Sequence, residues 1–280
     1  MEKSNFEKAL KEFVESSSDN FVKKEEALRP ELAGMRIFDE PVIGYACATD
    51  PLFTEAKKPD IIGAHFMTPE EWLPGAKTVI SIFLPITERI RAANSQDMTW
   101  PADEWFHGRI EGHNFQVKVC HFAEELLKKE GLSAMSPMTD PRFGRGTSPI
   151  TDKTDQNYYT SNWSERHAAY VSGLGTFSLS KGLITLKGTA GRFISIITTA
   201  AFEPDERPYK GVYDYCIFCG ACADNCPVNA ISKEEKKKTH HPCSVFLDSI
   251  MEKHKPYFGC GKCQVKVPCE FKAPNAGASK

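Results

Sequence analysis

Eight of the ten cysteines stand in the last quarter of the 280-residue chain. Four of them form one run, Cys216, Cys219, Cys222 and Cys226, followed at once by Pro227. Three thiols two residues apart can wrap a cubane with no secondary structure between them, and CxxCxxCxxxCP is a spacing that holds [4Fe–4S] clusters. A second set follows at Cys243, Cys260, Cys263 and Cys269. Four plus four is the ligand count for two clusters. A disulfide framework is disfavoured, because Met1–Lys11 carries no apolar signal segment and the rest of the chain is poor in cysteine. Zinc is the stronger rival, since CxxC pairs about forty residues apart also suit tetrahedral sites. Zinc needs only four thiolates, however, and the uninterrupted run has no place in that geometry. Cys47 and Cys120 lie in apolar surroundings and read as small core residues.

The elements that must carry these thiols are legible as hydrophobic periodicity. Phe6, Ala9, Leu10, Phe13 and Val14 make the stripe of an amphipathic helix, and Phe115, Val119, Phe122, Ala123 and Leu126 make another, stopped by Gly131. Val42–Ala46, Thr78–Leu84 (halted by Pro85), Leu183–Leu186 and Phe193–Thr199 read as strands, with a Lys187–Gly188 turn between the last two. Gly173 and Gly175 mark a tight helix–strand junction. Strands mixed with helices predict an α/β or α+β domain. Between Ser133 and Ser164 periodicity gives way to Pro, Gly, Asp and Thr, and a long irregular stretch of that kind is often functional. Pro204–Pro208 reads as a polar linker. Composition is that of a water-soluble protein: 41% hydrophobic, 26% charged, net charge −2. No run approaches the ~20 apolar residues of a membrane span. The basic run near Glu234–His241 reads as solvated surface rather than a nucleic-acid contact. His107, His113 and His121 read as core or surface residues rather than metal ligands, and no DxHxxG motif is present. With no leader segment, the chain reads as cytoplasmic.

The run at Cys216–Pro227 resembles that of bacterial two-cluster ferredoxins. This resemblance implies a crossed partition: Cys216, Cys219 and Cys222 with Cys269, and Cys226 with Cys243, Cys260 and Cys263. The second set departs from a plain repeat, with Cys243 seventeen residues before Cys260 and Pro268 preceding the last cysteine. Two upstream stretches point further. Trp72-Leu-Pro-Gly-Ala-Lys-Thr-Val-Ile-Ser-Ile, and Glu165-Arg-His-Ala-Ala-Tyr-Val-Ser-Gly-Leu-Gly-Thr-Phe followed by Gly182-Leu-Ile-Thr, resemble cobalamin-dependent epoxyqueuosine reductases and reductive dehalogenases. The resemblance spans about Ile43 to Phe271. It implies an N-terminal helical segment (1–40), a nitroreductase-like α/β (α+β) corrinoid-binding domain (41–207) and a ferredoxin-like domain with two [4Fe–4S] clusters (208–280).

It further implies an oxidoreductase in which an external ferredoxin or flavodoxin feeds the clusters, and the clusters feed cobalamin and a small-molecule substrate. Ser180, Lys181 and Gly182 match the part of the family that borders the corrinoid, and Arg192 could meet a cofactor amide or an anionic substrate. Epoxyqueuosine reductases carry a proton-donating aspartate before a Glu-Arg pair. Matching that pair to Glu165 and Arg166 puts Tyr159 at its position, with Asp152 and Asp155 several residues earlier. Reductive dehalogenases use a tyrosine, so Tyr159 is the implied acid. A phenol, with an ordinary pKa near ~10, protonates only a strongly basic site such as a developing carbanion or alkoxide. Epoxyqueuosine reductases continue past their clusters into a helical-repeat domain that helps bind tRNA, whereas here eleven residues follow Cys269. Two alternatives remain: an epoxyqueuosine reductase acting on tRNA, and an electron-transfer protein without corrinoid.

Overall fold

In a computed structural model that describes residues 1–144 and 149–275, every residue of the strand Thr78–Pro85 is buried. That strand is central, and burial on both faces accounts for its unbroken apolar sequence. In chain order the elements are α1 (Lys3–Ser16), β1 (Val42–Cys47), α2 (Pro51–Glu55), α3 (Pro69–Trp72), β2 (Thr78–Pro85) and α4 (Glu88–Asn94). Next come α5 (Asp103–Arg109), α6 (Glu111–Lys129), β3 (Ala134–Met135), α7 (Glu165–Val171), β4 (Gly175–Phe177), β5 (Leu183–Thr185) and β6 (Gly191–Thr198). The cysteine-rich part adds α8 (Ala221–Asp224), β7 (Ile231–Ser232), β8 (Lys237–Lys238) and α9 (His240–His254). The class is mixed α/β. The main sheet runs β1-β2-β6-β3 with every pair antiparallel, so it is of the α+β kind.

Alternation along β2 sorts the core. Ile80, Ile82 and Leu84, with Ile194 and Ile196 of β6, face a layer made by α1 and α6. Phe6, Leu10 and Val14 of α1 are buried there, and Phe13 stacks on Phe122 with ring centroids 4.1 Å apart. The opposite face carries Val79 and Ile197 against Phe53, Phe66, Trp72 and Trp163. Trp163 satisfies its indole by donating to Ser195 Oγ at 2.9 Å, as a buried indole requires.

Three local features differ from expectation. β5 pairs with β4 in a separate hairpin, not with β6; the Lys187–Gly188 turn folds back onto Thr185, and β6 then crosses to the main sheet. Gly175 makes that hairpin possible, because a Cβ there would lie 1.9 Å from the Ile184 carbonyl oxygen. The Pro204–Pro208 segment is pinned rather than loose: Asp205 exchanges backbone and side-chain hydrogen bonds with Tyr45, and Arg207 pairs with Asp50 at 2.6 Å. Cys120 is buried as expected, but Cys47 ends β1 with its side chain exposed. Within the irregular 133–164 stretch, residues 145–148 lie outside the described ones. Asn162 organises the rest, accepting from Gly144 N–H at 3.0 Å and donating to the Arg142 carbonyl at 2.8 Å. Among the described residues no helix is long and apolar enough to cross a membrane.

Candidate redox centre

The eight clustered thiols sort into two quartets, each around its own cavity. Cys216, Cys219, Cys222 and Cys269 line the first, together with Ser178, Ser180 and Val267. Cys226, Cys243, Cys260 and Cys263 line the second. The two linings have the membership of the crossed partition, because the chain after Cys263 runs back to the β4–β5 hairpin. Thr189 N–H donates to the Cys269 carbonyl at 2.9 Å, and Ala190 N–H to that of Glu270 at 3.1 Å. Arg91 fastens the same segment through Glu270 at 3.0 Å. Gly188 allows the approach, since a Cβ there would meet the Glu270 carbonyl oxygen at 2.3 Å.

Burial pushes the Cys222, Cys260 and Cys269 thiols up to about 12, with neighbouring thiols adding to the shift, and pushes Cys243 up as well. Four thiolates cannot share one apolar cavity unless a cation binds among them. Among the described residues no three His, Cys, Asp or Glu side chains converge closely enough for a single metal ion. Each quartet lines one cavity, and four thiols around one cavity are the ligand set of a [4Fe–4S] cluster.

The cavities differ in charge. Among the described residues lining the first none carries a charge, and Cys219 is exposed to solvent. The second is lined by Arg109, Arg192, Lys238 and Lys262 without a carboxylate. Lys262 is wholly buried, and its ammonium donates to the Asn94 carbonyl at 2.7 Å and to Asn94 Oδ1 at 2.9 Å. Burial lowers its pKa to about 8, against the pull of Cys260 and Asp97. Arg192 is pushed down to about 9 by burial and by Arg109, and among the described residues its Nε has no hydrogen-bond partner.

Beside the second quartet, the start of α9 meets the candidate acid. Tyr159 ends a single turn, Gln156–Tyr159, with its hydroxyl 3.3 Å from His241 Nδ1 and its ring stacked on His240 at 5.6 Å. Burial, helped by Lys238, Arg166 and Lys181, drops His240 to about 4, so it stays neutral. Cys243 lies one turn further along the same helix. Arg166 donates to the Lys181 carbonyl at 2.7 Å and lies close enough to Cys263 to feel its charge. The carboxylate oxygens of Glu165 are buried; burial raises its pKa to about 7, and Ser195 and Trp163 draw it back only in part.

The corrinoid-matching residues separate in space. Ser180 is buried with its hydroxyl 2.9 Å from that of Ser178, and it faces the first cavity. Lys181 holds the left-handed conformation, φ 62°, uncommon for a residue with a side chain. Its ammonium donates to the Tyr213 hydroxyl at 2.8 Å. Gly182 leaves room for Thr189, whose Oγ1 would sit 2.9 Å from a Cβ. Arg192 lines the second cavity instead. Sequence reasoning passed over Lys262, Arg109, His240 and His241. The HH pair after a basic run was visible, but nothing in the spacing showed that Tyr159 would pack on it.

Residues 209–232 match the 4Fe-4S binding domain family. Tetrachloroethene reductive dehalogenases of Dehalobacter restrictus and Desulfitobacterium hafniense are 36% identical over 88 residues, 30% of this chain and 16% of theirs. Among solved structures, an epoxyqueuosine reductase with a tRNA-Tyr stem loop superposes with TM-score 0.53 at 20% identity, covering 95% of this chain and 66% of that one. A catabolic reductive dehalogenase superposes with TM-score 0.54 at 16% identity, covering 83% and 30%. The chain therefore spans about a sixth of the length of the curated relatives it matches and less than two thirds of these structures.

Proposed function

We propose that this chain, which shares its fold with epoxyqueuosine reductases and reductive dehalogenases and carries a 4Fe-4S binding domain, is an iron–sulfur reductase that passes single electrons through two [4Fe–4S] clusters to a corrinoid and on to a small-molecule substrate. The observation that carries the reading is the sorting of eight thiols into two quartets seated on a mixed α/β domain. When bound, the clusters supply low-potential one-electron transfer and the corrinoid supplies the centre that meets substrate.

The chain's own residues divide the remaining work. The exposure of Cys219 on the first quartet supports access for an external ferredoxin or flavodoxin at that end. Arg166, near Cys263, and Arg192, with its unpartnered Nε, present donors to an anionic or amide-bearing group beside the second quartet. The Ser180–Gly182 turn, whose Lys181 carbonyl accepts from Arg166 at 2.7 Å, would border the same group. Tyr159 donates the proton that accompanies substrate reduction, and His241, in contact with its hydroxyl, returns one.

Anaerobic reconstitution with iron, sulfide and cobalamin tests this reading. The expected product binds about eight irons per chain and retains cobalt with a Co(II) EPR signal. Eight irons without retained cobalt would make the chain an electron carrier. Four irons or fewer would overturn the two-cluster reading itself.

A further inference from the structure

Lys262 has no solvent-exposed surface and stands between two thiols of the second quartet, Cys260 and Cys263. Both of its hydrogen-bond acceptors, the carbonyl and side-chain oxygens of Asn94, are neutral. Among the described residues no carboxylate forms an ion pair with it. Asp97 acts on it only from a distance, and that carboxylate is exposed and engaged with the Thr99 and Trp100 amides. Withdrawing an ammonium from water costs several kcal/mol unless an opposite charge compensates it. The anion available is the one the cavity is built to hold. A cubane bound by four thiolates is net negative, and reduction adds one further negative charge. Arg109, Arg192 and Lys238 extend the same positive field around this cavity, whereas the residues lining the first are uncharged. Outside the first cavity, Lys233 packs along Gly220 and Lys236 reaches the Phe218 ring at 5.0 Å; both side chains are exposed, and water screens them.

We propose that Lys262 is the counter-ion of the second cluster and, with Lys238 and Arg192, holds that cluster's reduction potential above that of the first. The inference rests on the two-cluster reading. One electron leaves a low-potential one-electron carrier and reduces the first cluster. It then passes to the second, which is reduced as the first is reoxidised; no bond or proton is exchanged. Cations beside the second cluster stabilise its reduced state more than its oxidised state, so the electron comes to rest there, next to Tyr159 and Arg166.

The test is an EPR-monitored redox titration of the reconstituted eight-iron chain and its variants, with Cys219→Ser and Cys260→Ser chains identifying each cluster's signal. Lys262→Gln is expected to make reduction of the second cluster at least tenfold less favourable, a drop of about 59 mV for a one-electron couple. The first cluster should stay where it was. Lys262→Arg should keep the parent value, and Lys238→Gln should lower it by a smaller amount. If Lys262→Gln loses the second cluster while Lys262→Arg keeps it, the counter-ion role stands. Equal movement of both clusters, or no movement in Lys262→Gln and Lys238→Gln with eight irons bound, overturns the proposal. So does loss of the second cluster in both Lys262 variants with an unmoved potential in Lys238→Gln. A parent chain with only four irons fails the underlying reading instead, and the iron count reveals it.

Discussion

The two thiol-lined cavities arise from one stretch of chain yet are built to different rules. The first leans on the β4–β5 hairpin, has an uncharged lining and exposes one of its thiols, Cys219. The second is set against the helices and main sheet, where Asn94 of α4, Arg109 of α5 and Arg192 of β6 reach it. Local sequence places the thiols, while long-range packing places the charge. On the proposed two-cluster reading, equal ligands would thereby give a directed pair, one meeting the solvent and the other holding the electron.

The largest effect that can break this comparison is loss of one cavity's contents. Cys269→Ala is expected to cut bound iron from about eight to about four and leave the signal of the second cluster, while Cys243→Ala should leave the complementary one. If Cys269→Ala removed the second cluster's signal, the crossed partition would be wrong. Next is the scaffold of the first cavity. Gly175→Ala forces a Cβ into the Ile184 carbonyl and should cost more than about 3 kcal/mol, read as a drop in the denaturation midpoint. The second cavity should lose its iron only when the whole chain unfolds.

Glu165, which begins the helix bearing Arg166, gives the second side a pH signature. The folded chain holds this proton up to about pH 7, whereas an unfolded chain releases it near the ordinary value of 4.5. Between those values the folded state is the better proton binder, so stability falls as pH rises from 4.5 to 7 and is flat above. The loss reaches at most about 3 kcal/mol. Denaturant midpoints across that window should flatten in Glu165→Gln; an unchanged slope would remove Glu165 as its source. Smaller still is the clasp on the first side. Arg91→Leu leaves Glu270 and the Ile86 carbonyl without their shared partner and should cost about 2 kcal/mol. A chelator should then strip the first cluster faster than the second.

The parts of this arrangement that were legible in the sequence are those set by near neighbours. Cysteine spacing marked all eight thiols, and the stripes at Phe6–Val14 and Phe115–Leu126 marked the two helices that cover one face of the sheet. The pairing of β5 was hidden because three residues carry no register signal, and the decisive residue, Gly175, acts by having no side chain. The charge around the second cavity was hidden for a different reason. Arg109, Arg192 and Lys238 are far apart in sequence, and the burial of Lys262 depends on Asn94, 168 residues away. Tyr159 was placed at the acid position by resemblance, but its partners His240 and His241 come from the helix that also bears Cys243.

Partial reduction of the parent chain tests the directed pair most directly. Substoichiometric one-electron reductant is added to anaerobic eight-iron protein, and EPR identifies the cluster that is reduced first. The expected result is that the first electron resides on the cluster of Cys226, Cys243, Cys260 and Cys263. An electron found first on the cluster of Cys216, Cys219, Cys222 and Cys269, or shared equally between the two, would contradict the account.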